Sequence, residues 1–217
     1  MIQIAPSLLA ANLLRIGDEV RNCEAAGADV LHVDVMDGHF VPPITFGPAF
    51  VQQLRSITTL PMDVHLMVSN PDHQVEQFAE AGADWISVHA EVAPNLHRTL
   101  QRIKHLGCRA GIVLNPATPL EHAFEAAGDA EFILLMSVNP GYGGQEFIPS
   151  FLTRCELLRT WLDTNGLGNV EIEVDGGIKI ENARDAINAG ASILVSGSGL
   201  FKGDLKAHIA AMRGVIS

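Results

Sequence analysis

Eight short runs rich in Val, Ile, Leu and Met recur along the chain, at about 2–6, 30–36, 62–67, 84–89, 110–114, 132–136, 171–175 and 193–197. Their length and their β-branched content predict strands. Between them lie segments whose apolar positions follow helical spacing, such as 74–81 (Gln-Val-Glu-Gln-Phe-Ala-Glu-Ala) and 96–103 (Leu-His-Arg-Thr-Leu-Gln-Arg-Ile). Strand and helix alternating eight times in 217 residues predict a single (β/α)8 TIM barrel over 1–217, with a doubly wound open sheet as the structural rival. An internal echo supports the alternation: Ala26-Gly27-Ala28-Asp29, Ala81-Gly82-Ala83-Asp84 and Ala189-Gly190-Ala191-Ser192 each stand where a helix is expected to stop and a strand to begin. No linker, low-complexity tract or shift in composition marks a second domain.

Within three of the strands the pattern of polar positions carries more than the fold. In the run Leu31-His32-Val33-Asp34-Val35-Met36, His32 and Asp34 share one face and the valines take the other. His65 lies opposite the apolar positions of its strand, and Asp175 closes a strand in which Ile172 and Val174 take the other face. The C-terminal end of a closed barrel accommodates such a polar face, and there the strands would gather Ser7, His32, Asp34, His65, His89, Asn115, Asn139, Asp175, Gly197 and Ser198.

Two imidazoles and two carboxylates, from His32, Asp34, His65 and Asp175, suit a divalent transition metal such as Zn²⁺, Mn²⁺, Fe²⁺ or Co²⁺. A single buried histidine is commonly a hydrogen-bonded core residue; four such groups on three strand ends point to a cation. His89 is expected to line the pocket or support a ligand from behind. Glycine-rich turns follow strands six, seven and eight, at Gly141-Tyr142-Gly143-Gly144, Gly176-Gly177 and Gly197-Ser198-Gly199. Such turns bring backbone N–H groups close to an anion, and this end of a barrel often binds phosphate.

Charge and composition narrow the chemistry. A formal charge of −11 argues against nucleic acid, which needs clustered Lys and Arg. No apolar stretch is long enough to span a bilayer, and the chain starts without a charged leader and apolar segment, so a cytoplasmic protein is expected. Cys23, Cys108 and Cys155 are odd in number and widely spaced, as free thiols in a reducing compartment would be. Only Lys104, Lys179, Lys202 and Lys206 are present, none at an inward strand position, which disfavours Schiff-base chemistry. Proton transfer beside a carbonyl remains, with a metal stabilising an enediolate and carboxylates on opposite faces of the substrate.

The chain resembles the ribulose-phosphate 3-epimerase family. The matching segments are 4–9 (Ile-Ala-Pro-Ser-Leu-Leu), 32–42 (His-Val-Asp-Val-Met-Asp-Gly-His-Phe-Val-Pro), 63–68 (Asp-Val-His-Leu-Met-Val), 115–119 (Asn-Pro-Ala-Thr-Pro), 136–145 (Met-Ser-Val-Asn-Pro-Gly-Tyr-Gly-Gly-Gln) and 173–178 (Glu-Val-Asp-Gly-Gly-Ile). The resemblance implies a barrel of the ribulose-phosphate-binding type that interconverts D-ribulose 5-phosphate and D-xylulose 5-phosphate, in the pentose phosphate pathway and the Calvin cycle. It implies one divalent cation on His32, Asp34, His65 and Asp175, with Asp34 and Asp175 as the acid/base pair. Ser7 and His65 would contact the sugar, and Gly141, Tyr142, Gly143, Gly144, Gly176, Gly177, Gly197 and Ser198 would surround substrate and phosphate. Met36, Met67 and Met136 would form a soft wall, and a homo-oligomer is expected. Asn12, Pro43 and Ala90 depart from the family pattern, which touches only loop shape and helix capping. An epimerase for a hexulose phosphate such as D-allulose 6-phosphate is the alternative. A non-catalytic sugar-phosphate sensor has no need for both aspartates, and a metal-dependent hydrolase would prefer a His-x-His strand or a bridging lysine.

Overall fold

The computed structural model describes residues 1–216. Eight parallel strands form one sheet: β1 Gln3–Pro6, β2 Leu31–Met36, β3 Met62–Met67, β4 Trp85–His89, β5 Arg109–Leu114, β6 Phe132–Met136, β7 Glu171–Asp175 and β8 Ile193–Ser196. Each strand pairs with its sequence neighbour from β2 through β8, and β8 pairs with β1. A single bridge between Ser7 and His32 draws β1 against β2 and closes the cylinder. The expected (β/α)8 barrel is therefore the fold, and every strand boundary falls within a residue or two of the hydrophobic run that announced it.

Helices α1 Ile16–Ala26, α2 Pro48–Arg55, α3 Val75–Glu80, α4 Leu96–His105, α5 Glu121–Phe124, α6 Ser150–Thr164, α7 Ile180–Asn188, α8 Ser198–Phe201 and α9 Leu205–Ile216 surround the strands. In α4, Leu100 and Ile103 are fully buried while Arg98, Arg102 and Lys104 face outward, the stripe an amphipathic helix needs to sit on a sheet. The three repeated helix stops share one geometry. Gly27, Gly82 and Gly190 have φ of 86°, 102° and 113°, a left-handed turn that glycine adopts without a Cβ penalty.

The strands are buried on both faces, and the faces differ. Val33, Val35, Val64, Leu66, Val88, Ile112, Leu135 and Val174 pack outward beneath the helices in one continuous core. The alternate residues fill the lumen. At its base, Ala5, Val30, Trp85, Phe132, Ile193 and Val195 form an apolar plug, with the Arg109 guanidinium 4.2 Å from the Trp85 ring. Above the plug the lumen becomes polar, and there the site is built. Cys23, Cys108 and Cys155 are buried thiols, and no helix of the described residues is long and apolar enough to cross a membrane.

Candidate active site and metal centre

Period-two alternation points His32 and Asp34 from β2, His65 from β3 and Asp175 from β7 into one space. One donor atom from each lies within 4.8 Å of the others. His32 Nε2 is 3.4 Å from Asp34 Oδ1 and 3.9 Å from Asp175 Oδ2, and His65 Nδ1 is 3.6 Å and 3.8 Å from the same two oxygens. Donors that each reach about 2.0–2.2 Å to one ion stand roughly 3–4 Å apart, so the spacing fits a single cation.

The outer nitrogens of both rings are already committed. His32 Nδ1 lies 2.6 Å from Asp63 Oδ2, and a carboxylate can only accept there, so the ring carries its hydrogen on Nδ1. His65 Nε2 lies 2.9 Å from His89 Nε2. The two nitrogens left without a partner, His32 Nε2 and His65 Nδ1, are the two that face the carboxylates. Buried polar atoms without partners are rare, and a pair of bare imidazole nitrogens opposite a pair of acids is a donor set that could hold a divalent metal.

The electrostatics are uneven. Burial works to raise the Asp34 carboxyl, but His32 and His65 outweigh it and hold the group well below the ordinary carboxylate range. Burial and then the charge of Asp34 push Asp175 up to about 6. Burial also resists charging His32, yet Asp34 and Asp63 overcome it and raise that ring well above the usual histidine value, a sign that this spot demands positive charge. His89 is driven down to about 4 by burial. Beneath the quartet, Glu173 is fully buried and neither carboxyl oxygen has a hydrogen-bond partner; burial, then the neighbouring Asp63 charge, raise it and favour its neutral form.

Above the quartet lies an open cleft. Ser7, Asp34, Asp175, Gly141, Tyr142, Gly143, Gly144, Gly176, Gly177, Gly197 and Ser198 all line it, as do Met36, Met67 and Met136. Ser7 Oγ donates to Asp34 Oδ2 at 2.7 Å, which leaves Asp34 Oδ1 turned toward the histidines. Gly176, at φ 120°, turns the chain where a Cβ would stand 2.5 Å from Val138, so only glycine lets the turn after β7 lie against the wall. His65 differs from expectation in one respect: its ring is fully buried beneath the cleft and does not form its lining. In the sheet it is the register partner of Asp34.

Three residues of the site were not singled out from sequence. Asp63 and Glu173 lie two positions before His65 and Asp175, so the same alternation that exposed the ligands pointed both acids inward. Glu91, two residues beyond His89 and outside the strand, carried no periodic signal.

Residues 3–201 match the model of the ribulose-phosphate 3 epimerase family. The chain belongs to that family. A ribulose-phosphate 3-epimerase of Bacillus subtilis is 50% identical over 99% of both chains. One of Escherichia coli K12 is 47% identical over 97% of this chain and 94% of its own. The chloroplastic ribulose-5-phosphate-3-epimerase of Arabidopsis thaliana is also 47% identical, over 99% of this chain and 76% of its own. Among solved structures, 3-hexulose-6-phosphate synthase from Salmonella typhimurium superposes with a TM-score of 0.75 over 99% of this chain and 98% of that one, at 15% identity. Phosphoribosyl anthranilate isomerase from Thermococcus kodakaraensis does so at 0.69 over 100% and 99%, at 17% identity. At such identities these two likenesses concern the barrel alone.

Proposed function

We propose that this chain epimerises D-ribulose 5-phosphate and D-xylulose 5-phosphate at C3, with Asp34 and Asp175 exchanging the proton on opposite faces of the ketose. The observation that supports the reading is the pair of carboxyls, Asp34 and Asp175, gathered with His32 and His65 at the foot of the cleft. His32 and His65 hold the Asp34 carboxyl low, while burial and the Asp34 charge raise that of Asp175 to about 6. Inversion needs one base and one acid around the same carbon, and carboxyls whose environments drive them apart supply both. In one direction Asp34 takes the C3 proton while Asp175 delivers its own to the other face; in reverse the roles exchange.

His32, Asp34, His65 and Asp175 would hold one divalent cation, Zn²⁺, Fe²⁺, Mn²⁺ or Co²⁺. It would supply positive charge to stabilise the negative charge that develops on the ketose. Met36, Met67, Met136 and Val138 keep water from the reacting carbon, which strengthens every charge–charge interaction in the cleft. The backbone N–H groups of the glycine turns after β6, β7 and β8 suit a single phosphate in a chain with few lysines. We also take the chain to be a cytoplasmic homo-oligomer, with the exposed Leu14 and Ile44 as apolar surface that association would cover.

The test is epimerisation of ribulose 5-phosphate in D2O. Deuterium is expected at C3 of the xylulose product, with turnover collapsing in both Asp34→Asn and Asp175→Asn. Near-normal rates in both variants would refute the two-base assignment. The same assay with D-allulose 6-phosphate separates a pentulose from a hexulose enzyme.

A further inference from the structure

The two histidines of the quartet are oriented in different ways. His32 leans directly on Asp63, inside the sealed lumen. His65 leans on a second histidine, and that histidine leans on a carboxylate outside the strand. The rings of His65 and His89 have centroids 5.0 Å apart and planes only 26° from parallel, with 2.9 Å between their Nε2 atoms. Two imidazoles meeting edge to edge in this way share one hydrogen, so one ring donates and the other accepts. The far side of His89 decides which: its Nδ1 faces Glu91 Oε2 at 3.2 Å. A carboxylate accepts and cannot donate, so His89 carries its hydrogen on Nδ1 and offers a lone pair at Nε2. His65 then keeps its hydrogen on Nε2, and its Nδ1 is left bare toward Asp34 and Asp175.

We propose that Glu91, acting through His89, is a positioning residue that fixes the tautomer of His65 and so readies its Nδ1 for a divalent cation. This deepens, and rests on, the cation-assisted reading given above. Glu91 is itself held in one orientation. Its Oε1 accepts the Asn115 N–H at 2.8 Å and the Thr118 hydroxyl, while Arg154 donates to the Thr118 carbonyl at 2.7 Å. The loops after β4 and β5 are thus clipped together by one oxygen of Glu91 and the ligand is oriented by the other. Phe40, 4.5 Å from His89 between ring centroids, closes the remaining side.

An isosteric change inverts this chain. In Glu91→Gln the single amide oxygen goes to the two loop donors, and the NH2 group is left facing His89 Nδ1. His89 must then accept there and move its hydrogen to Nε2, which drives the hydrogen of His65 onto Nδ1, the atom a cation needs.

The experiment titrates the metal-free full chain with Co²⁺, by calorimetry and by visible absorption, for wild type, Glu91→Gln, Glu91→Ala and His65→Asn. Ring 15N shifts report the tautomers directly. In wild type His89 is expected to be protonated at Nδ1 and His65 at Nε2. Glu91→Gln is expected to reverse both, to weaken Co²⁺ binding about 10- to 100-fold and to alter the Co²⁺ absorption. Glu91→Ala, which removes the clip without introducing a donor, is expected to bind better than Glu91→Gln. The opposite order would assign Glu91 to loop anchoring alone and overturn the proposal. Wild-type affinity in Glu91→Gln with loss in His65→Asn overturns the relay and leaves the cation site standing; unchanged binding in both removes the relay and the site together. Should Glu91→Gln fail to fold, wild-type ring shifts that put the His89 hydrogen on Nε2 suffice to reject the idea.

Discussion

Around the lumen, β2, β3 and β4 present His32, Asp34, Asp63, His65, Ser87 and His89, whereas β5 and β6 present Val113, Phe132, Leu134 and Met136. The two arcs meet in register: His89 pairs with Val113, Leu134 with Glu173, and Met136 with Asp175. Asp34, by contrast, pairs with His65. The two candidate aspartates therefore stand beside strands of different character. His32 and His65 lower both carboxyls; at Asp34 they outweigh burial, whereas at Asp175, beside the apolar arc, burial and then the Asp34 charge outweigh them. Two chemically identical side chains thus differ through their surroundings, which is what the proposed division into base and acid needs.

The most severe way to break this comparison is to remove either carboxyl. Asp34→Asn and Asp175→Asn are each expected to cost about 10³–10⁴-fold in kcat, since each deletes a proton carrier and a candidate ligand; steady-state epimerisation kinetics measure it. Hollowing the apolar arc comes next. Leu134→Ala is expected to destabilise the fold by ~2–5 kcal/mol in urea unfolding, because a fully buried leucine leaves a cavity between packed strands. On the polar arc, Asp63→Asn replaces the acceptor that fixes His32. It is expected to weaken Co²⁺ binding about 10- to 100-fold while the fold survives, as calorimetry on the metal-free chain would show.

The smallest effect sharpens the comparison by pH. On the rim above the polar arc, Asp37 accepts from the N–H groups of His39, Phe40 and Ser69 and from the Ser69 hydroxyl. These bonds outweigh the opposing effect of burial and hold its carboxyl down at about 2. A carboxyl lower in the folded state than in the unfolded chain stabilises the fold above its ordinary value of 3.8, and that contribution fades as pH falls toward 2. The stability gap between wild type and Asp37→Asn is therefore expected to be full at pH 6 and to shrink between about pH 4 and 2. Urea midpoints measured across that range check it. A Leu134→Ala gap is expected to stay nearly constant over the same window, because no proton is involved.

Much of this was legible in the sequence because two periodicities overlap there. Short β-branched runs separated by helical spacing announce the barrel, and alternation within β2, β3 and β7 turns His32, Asp34, His65 and Asp175 to one side. The same alternation already held Asp63 and Glu173, but acids one pleat deeper look like noise until the depth of the lumen is known. Glu91 was beyond reach, since it lies in the loop turn after β4 and gains its meaning only from the β5 loop that folds against it. The helix stops were readable because glycine there serves a backbone requirement. Among the departures from the family pattern, Asn12 keeps a capping role, its side chain accepting from the Leu14 N–H.

The seam between β1 and β2, closed by the lone Ser7–His32 bridge, gives the barrel a birth order. His32, Asp34 and His65 emerge early from the ribosome, but Asp175 must wait for β7, and the first strand finds its lateral partner only when β8 has been made. Until β7 has been made, the four candidate ligands have no common centre.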